Sequence, residues 1–155
     1  MSVIIDSNII ISFLKGEDIV VNKIRDLEFQ KSEFYVSVIS IYEVYYGIIS
    51  NLYLKKGDPS KVPDLIVHYE KFLSSCKIID FTKAAAEKAA DIYAHSQGKG
   101  ITIKEKDCQI AGIALSHGIK EVITNDSRDF SKIFKLTGLN YSKLWFPINP
   151  QLLII

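Results

Sequence analysis

Short apolar runs alternate along the chain with longer stretches in which apolar residues recur every three or four positions, and each change of period marks a change of element. Residues 3–5, Val-Ile-Ile, stop at Asp6-Ser7-Asn8, which reads as a buried strand entering a loop. Asp6 is therefore expected at a strand's carboxyl end. A helix is expected over 9–14, stopped by Gly16, with a more polar one over 18–27. The β-branched and aromatic residues 34–38 predict a second strand. Beyond it, Ser40-x-x-Glu43 has the form of a capping box. It would open a helix over 41–54 on which Val44, Ile48 and Leu52 recur at helical spacing. That places Glu43 on a first helical turn.

Gly57, Pro59 and Pro63 mark 55–64 as a loop between helices rather than a domain linker. The pattern then predicts a helix over 65–73, a strand over 77–81, an alanine-rich helix over 83–96 and a flexible turn over 97–100. Asp107 is expected to open a helix on which Cys108, Ala111 and Leu115 share a face, closing at Gly118. Residues 122–124 read as a strand, and Asp126-x-x-Asp129 as the start of a helix to 134. The apolar, proline-punctuated stretch 145–155 reads as an edge strand or a contact surface. Strands alternating with helices predict an α/β class: a three-layer α/β/α sandwich on a mainly parallel sheet. Sites in such folds form beyond the carboxyl ends of the strands.

The 155 residues suffice for one core, so 1–155 is expected to be a single domain. With 48% hydrophobic and 24% charged residues the chain should fold, not remain disordered. No stretch approaches the roughly 20 apolar residues of a membrane span, and the start lacks the order of a signal peptide. A soluble, cytoplasmic protein with no membrane partner is expected. Cys76 and Cys108 lie too far apart for a CxxC pattern and are expected as reduced, packed thiols. His68, His95 and His117 have no metal-ligand spacing. A net charge of +1 neither demands nor excludes a nucleic-acid partner, so any basic surface must be local.

The chemistry lies in the acids. Asp6, Glu43, Asp107 and Asp126 each stand at an expected element boundary. Singly, the last three can be explained as helix caps. Asp6 resists that reading, because a carboxylate directly after a buried strand is costly unless something compensates it. Convergent carboxylates are the natural donors for Mg2+ or Mn2+, and such an ion serves phosphodiester hydrolysis. Lys104, Lys106, Arg128 and Lys132 flank these acids, where they can meet the phosphates of a nucleic acid or simply be solvated. Tyr42, Tyr45 and Tyr46 beside Glu43 can stack on bases, although their helical spacing favours core or dimer packing.

In combination, Asp6-Ser7-Asn8, Ser40-Ile41-Tyr42-Glu43 with Gly47, Asp107-x-x-Ile110-Ala111, and Thr124-Asn125-Asp126 with Asp129-Phe130 resemble the PIN-domain family. Within it they resemble the VapC-like toxins of toxin-antitoxin pairs, over nearly the whole chain. The resemblance implies a metal-dependent endoribonuclease acting on single-stranded RNA, with Asp6, Glu43, Asp107 and Asp126 holding Mg2+ or Mn2+. It implies Asp129 as an accessory acid, and Ser7, Asn8 and Thr124 as polar groups that orient ligands or substrate. It further implies a cognate antitoxin and a homodimer. The loop at 55–64 is long and the tail after Leu144 unusually apolar for such toxins, which bears on the partner more than on the chemistry. A haloacid-dehalogenase-type phosphatase would want a second Asp where Asn8 stands, and a receiver domain an acidic neighbour that Asp6 lacks. A non-catalytic PIN-like module binding RNA or protein is the remaining alternative.

Overall fold

The computed structural model describes residues 1–54 and 56–143. Its five strands are β1 (Ser2–Ile5), β2 (Glu33–Ser37), β3 (Lys77–Ile79), β4 (Glu121–Ile123) and β5 (Asn140–Ser142). They form one sheet in the order β3-β2-β1-β4-β5, with every pairing parallel. The helices are α1 (Ser7–Leu14), α2 (Asp18–Phe29), α3 (Val38–Tyr53), α4 (Val62–Ser74), α5 (Lys83–Gly98), α6 (Glu105–Ser116) and α7 (Ser127–Thr137). A 3-10 turn, Pro59–Lys61, interrupts the expected loop at 55–64.

The two-residue period of β1 divides the core. Val3 and Ile5 point to one face, into a cluster with Ile9 and Ile10 of α1, Ile24 of α2, Val44 of α3 and Tyr69 of α4. Ile4 points to the other face, among Ala85 of α5, Ile110 and Ile113 of α6, and Phe130 of α7. All three β1 residues are fully buried, as a central parallel strand covered by helices on both faces requires. The α/β/α sandwich follows from this alternation. No helix among the described residues is long and apolar enough to cross a membrane.

Three local expectations are corrected. The second strand ends at Ser37, and Val38 already belongs to α3. Ser37, not Ser40, caps that helix, its Oγ accepting from the Ser40 amide at 3.0 Å. Glu43 thus lies beyond the first turn and caps nothing. Asp107 sits two residues inside α6 rather than opening it. The pattern also left β5 unread, because Asn140-Tyr141-Ser142 lacks an apolar run and none of its residues is fully buried. The apolar stretch 145–155 lies outside the described residues. Cys108 is buried and Cys76 half-buried, and burial pushes their thiols up to about 11 and about 12.

Candidate metal centre and active cleft

The centre of the sheet is where the chain's direction of winding reverses: β2 lies on one side of β1 and β4 on the other. The carboxyl ends of such strands leave a crevice. Asp6 leaves β1 in an extended conformation, caps α1, and donates its amide to the Ile123 carbonyl of β4 at 3.0 Å. Its side chain accepts from the Ser7 amide at 2.7 Å, the Asn8 Nδ2 at 2.8 Å and the Thr124 hydroxyl at 2.7 Å. Thr124 Oγ1 also accepts from the Asp126 amide at 3.0 Å, and Asn8 Oδ1 from the Asn125 amide at 3.0 Å. The loops after β1 and β4 are therefore stitched together around one carboxylate. Burial raises the Asp6 pKa above the usual carboxylate value. The Thr124 and Ser7 hydrogen bonds oppose that shift, while the charges of Glu43 and Asp126 reinforce it.

Around Asp6 stand acids from three more elements. Glu43, from α3, accepts the Ser7 hydroxyl at 2.5 Å and lies 3.2 Å from the Lys106 ammonium. Asp126 caps α7 through Oδ1, which accepts the Asp129 amide at 3.2 Å, while its Oδ2 pairs with Lys104 Nζ. Asp107, from α6, is 7% exposed, and its Oδ2 is buried without a hydrogen-bond partner among the described residues. Its pKa is pushed up to about 8, first by burial and then by the charges of Asp6 and Asp126.

Asp129 is fully buried but compensated. It accepts the Lys104 amide at 3.0 Å and lies 3.3 Å from Arg128 Nε and 3.5 Å from Lys132 Nζ. Burial acts to raise its pKa, but the bonds from Lys104 and Arg128 prevail and the net shift is downward. Carboxylate oxygens of Asp107, Asp126 and Asp129 lie within 4.8 Å of one another. Together Asp6, Ser7, Asn8, Glu43, Lys104, Lys106, Asp107 and Asp126 line a cleft of about 480 Å3, to which Glu105 also contributes.

The chemical reading finds its counterpart in the family of the chain. The model of the PIN domain matches residues 3–136. The chain belongs to the PIN-domain family. Among curated PIN relatives, Ribonuclease VapC2 of Haemophilus influenzae is 27% identical over 137 residues, covering 88% of this chain and 96% of that protein. The tRNA(fMet)-specific endonuclease VapC of Shigella flexneri is 26% identical over 139 residues, covering 89% and 96%. The crystal structure of VapBC2 from Rickettsia felis bound to a promoter DNA fragment superposes with a TM-score of 0.75 at 22% identity, covering 94% of this chain and 100% of that one. FitAcB from Neisseria gonorrhoeae gives 0.76 at 23%, covering 94% and 99%. These structural likenesses establish the PIN fold alone.

PIN nucleases are metal-dependent, and the donors of this PIN chain fit a hard divalent cation. They are all oxygen, and the buried Asp107 Oδ2 has no hydrogen-bond partner among the described residues. The structure brings Asp6, Glu43, Asp107 and Asp126 into one cleft, with Ser7, Asn8 and Thr124 as their hydrogen-bonding support. Among the flanking cations, Lys104 and Lys106 face the cleft, whereas Arg128 and Lys132 are turned to Asp129, and Lys132 also donates to the Thr102 carbonyl at 2.6 Å. Sequence reasoning missed Glu105 and the Asn125 amide. Asn125 had a signal, since it stands between Thr124 and Asp126; Glu105 had none, because its place depends on how α6 meets the sheet. Tyr42, Tyr45 and Tyr46 are not core residues, being 62%, 45% and 52% exposed.

Proposed function

We propose that this chain is a Mg2+- or Mn2+-dependent endoribonuclease that hydrolyses phosphodiester bonds of single-stranded RNA, working as the single-domain toxin of a toxin-antitoxin pair in the cytoplasm. The observation that carries this reading is Asp107. Its buried Oδ2, without a partner among the described residues, stands beside Asp126 and under the influence of Asp6, the kind of perturbed acidic grouping found at functional sites. The curated relatives named ribonuclease and endonuclease supply the reaction class.

Asp107 and Asp126 would hold the ion, with Asp6 and Glu43 completing its surroundings directly or through water. A bound divalent ion supplies a nucleophilic water at neutral pH and neutralises charge on the phosphoryl group. Thr124, Asn8 and the Ser7 amide fix Asp6 in place, and the Ser7 hydroxyl fixes Glu43. Asp129 anchors the backbone of Lys104, so the cationic rim is placed by the same helix start that places Asp107. Lys104 and Lys106 would meet the phosphates of the RNA.

An antitoxin that covers the cleft would restrain such an enzyme, as the VapBC complexes among the structural neighbours encourage. A second copy suits the exposed apolar face of α3, where Ile41, Tyr42, Tyr45, Tyr46, Ile49 and Tyr53 lie together.

The test is incubation of purified, partner-free protein with a mixed single-stranded RNA pool in Mg2+, Mn2+ or EDTA, alongside Asp107→Asn. Cleavage that needs the metal and fails in the variant is the expected result. Cleavage that persists in EDTA, or in Asp107→Asn at the wild-type rate, would remove these acids from the reaction.

A further inference from the structure

Asp126 has little to offer a ligand besides one oxygen. Its Oδ1 is committed to capping α7 through the Asp129 amide at 3.2 Å, leaving Oδ2. That atom is the one paired with the Lys104 ammonium. The Lys104 backbone cannot follow its side chain, because its amide is held at 3.0 Å by the buried Asp129. The side chain is 57% exposed and can swing by rotation about its own bonds. A cation is thus hinged on a fixed point, with its charged end on an oxygen of the cluster formed by Asp107, Asp126 and Asp129.

We infer that Lys104 is an exchangeable counter-ion: its ammonium competes with a divalent cation for Asp126 Oδ2 and, once displaced, is carried to a phosphate of the bound nucleic-acid strand. The inference rests on the metal-dependent reading above and extends it to the order of events at the site. The competition follows from electrostatics. Two cations cannot share one oxygen in a partly desolvated cleft without repulsion, so the more strongly held one expels the other. The destination follows from geometry. Lys104 lines the cleft, and the open water beyond it is where a phosphate would approach.

Lys106 differs in this respect. Its ammonium lies 3.2 Å from Glu43 and 5.3 Å from the centre of the exposed Tyr42 ring, outside the Asp107–Asp126–Asp129 cluster. It carries the same charge at the same rim but pairs with Glu43, not with Asp126, so its replacement reports the loss of rim charge and of the Glu43 pair without freeing Asp126 Oδ2.

The experiment is calorimetric titration of Mn2+ into wild type, Lys104→Met and Lys106→Met, with thermal unfolding to confirm folding. Lys104→Met should bind Mn2+ about twofold to fivefold more tightly, the range expected for loss of one partly exposed ion pair. Lys106→Met should change distinctly less. Binding of a short single-stranded DNA oligonucleotide, which presents the same phosphate charge, supplies the second readout. With Mn2+ present, the salt dependence of wild type should exceed that of Lys104→Met by about 0.7 in log-log slope, the contribution of one phosphate contact on a single strand. Without Mn2+ the two slopes should agree. Equal Mn2+ affinity in wild type and Lys104→Met would overturn the exchange while leaving the metal reading intact. Equal tightening in both lysine variants would reduce the effect to general charge and overturn it too. Absence of Mn2+ binding in all three, with no RNA cleavage, would defeat the metal reading itself and the exchange with it.

Discussion

Asp6, Asp107 and Asp129 are all buried, yet each carries its charge differently. Asp6 is surrounded by protein donors, Asp129 by donors and cations, and Asp107 has an oxygen with neither. The folded pKa of Asp107, about 8, lies well above the ordinary 3.8, so between these values the folded chain keeps a proton that the unfolded chain has released. The metal-free protein should therefore lose stability as pH rises from about 4 through 8. Asp107→Asn removes that liability. Its melting temperature in EDTA at pH 8 should exceed that of wild type by several degrees, and the gain should shrink as pH falls and vanish near pH 4. Scanning calorimetry at the two pH values checks this; a variant less stable at both would mean that Asp107 is a structural acid. Asp6→Asn should behave in the opposite way. An amide there must turn its NH2 toward the Thr124, Asn8 or Ser7 donors, at a cost of about 1–3 kcal/mol, readable as a lower urea midpoint.

At the scale of elements, the site depends on where helices start. Ser37 ends β2 and caps α3, so the helix begins three residues before the capping-box pattern around Ser40 implies. Ser37→Ala should cost about 1 kcal/mol, the usual value for a lost cap. Glu43→Gln should leave unfolding nearly unchanged while weakening Mn2+ binding, because Glu43 is free of capping duty and keeps the Ser7 contact as an amide. If Glu43→Gln instead unfolds as readily as Ser37→Ala, the helix is using Glu43 after all. The position of α6 is set by Gly112, where an added Cβ would lie 2.4 Å from the Ala85 carbonyl of α5. Gly112→Ala should force the two helices apart, destabilise the protein by about 1–3 kcal/mol, and displace Asp107 along with α6. Unfolding and cleavage measured on the same preparation would show both effects. Wild-type values for both would mean that the helices give way without consequence.

Over the whole molecule, parallel strands direct all their carboxyl ends to one edge, and the winding reversal at β1 opens the cleft there. Like charges gathered at that edge oppose folding, and a cation relieves them. Saturating Mn2+, at about 100 times its dissociation constant, should add about 2.7 kcal/mol of stability, raising the melting temperature by roughly 5–11 °C. The rise should disappear on addition of EDTA and be much reduced in Asp107→Asn. A melting temperature indifferent to Mn2+ in wild type would contradict metal binding in the folded state. At the same scale, the exposed tyrosines of α3 form an apolar surface of the kind that marks interaction sites.

The amino-acid sequence by itself determined the alternation of strands and helices, and with it the sandwich, because hydrophobic period is a local property that burial on two faces imposes directly. It likewise marked Asp6 and Asp126 as strand-end acids, since both follow short runs of β-formers. Only the tertiary structure decided which acids are compensated. Asp129 and Asp107 share the first-turn region of their helices in sequence, yet one meets Lys104, Arg128 and Lys132 while the other has an oxygen without a partner. That difference arises between elements far apart in the chain, where partners are assigned by packing. The same holds for Ser7 on Glu43 and Lys104 on Asp126, which are 36 and 22 residues apart. Local pattern names the groups able to carry charge, and contact across the sheet determines how each charge is held.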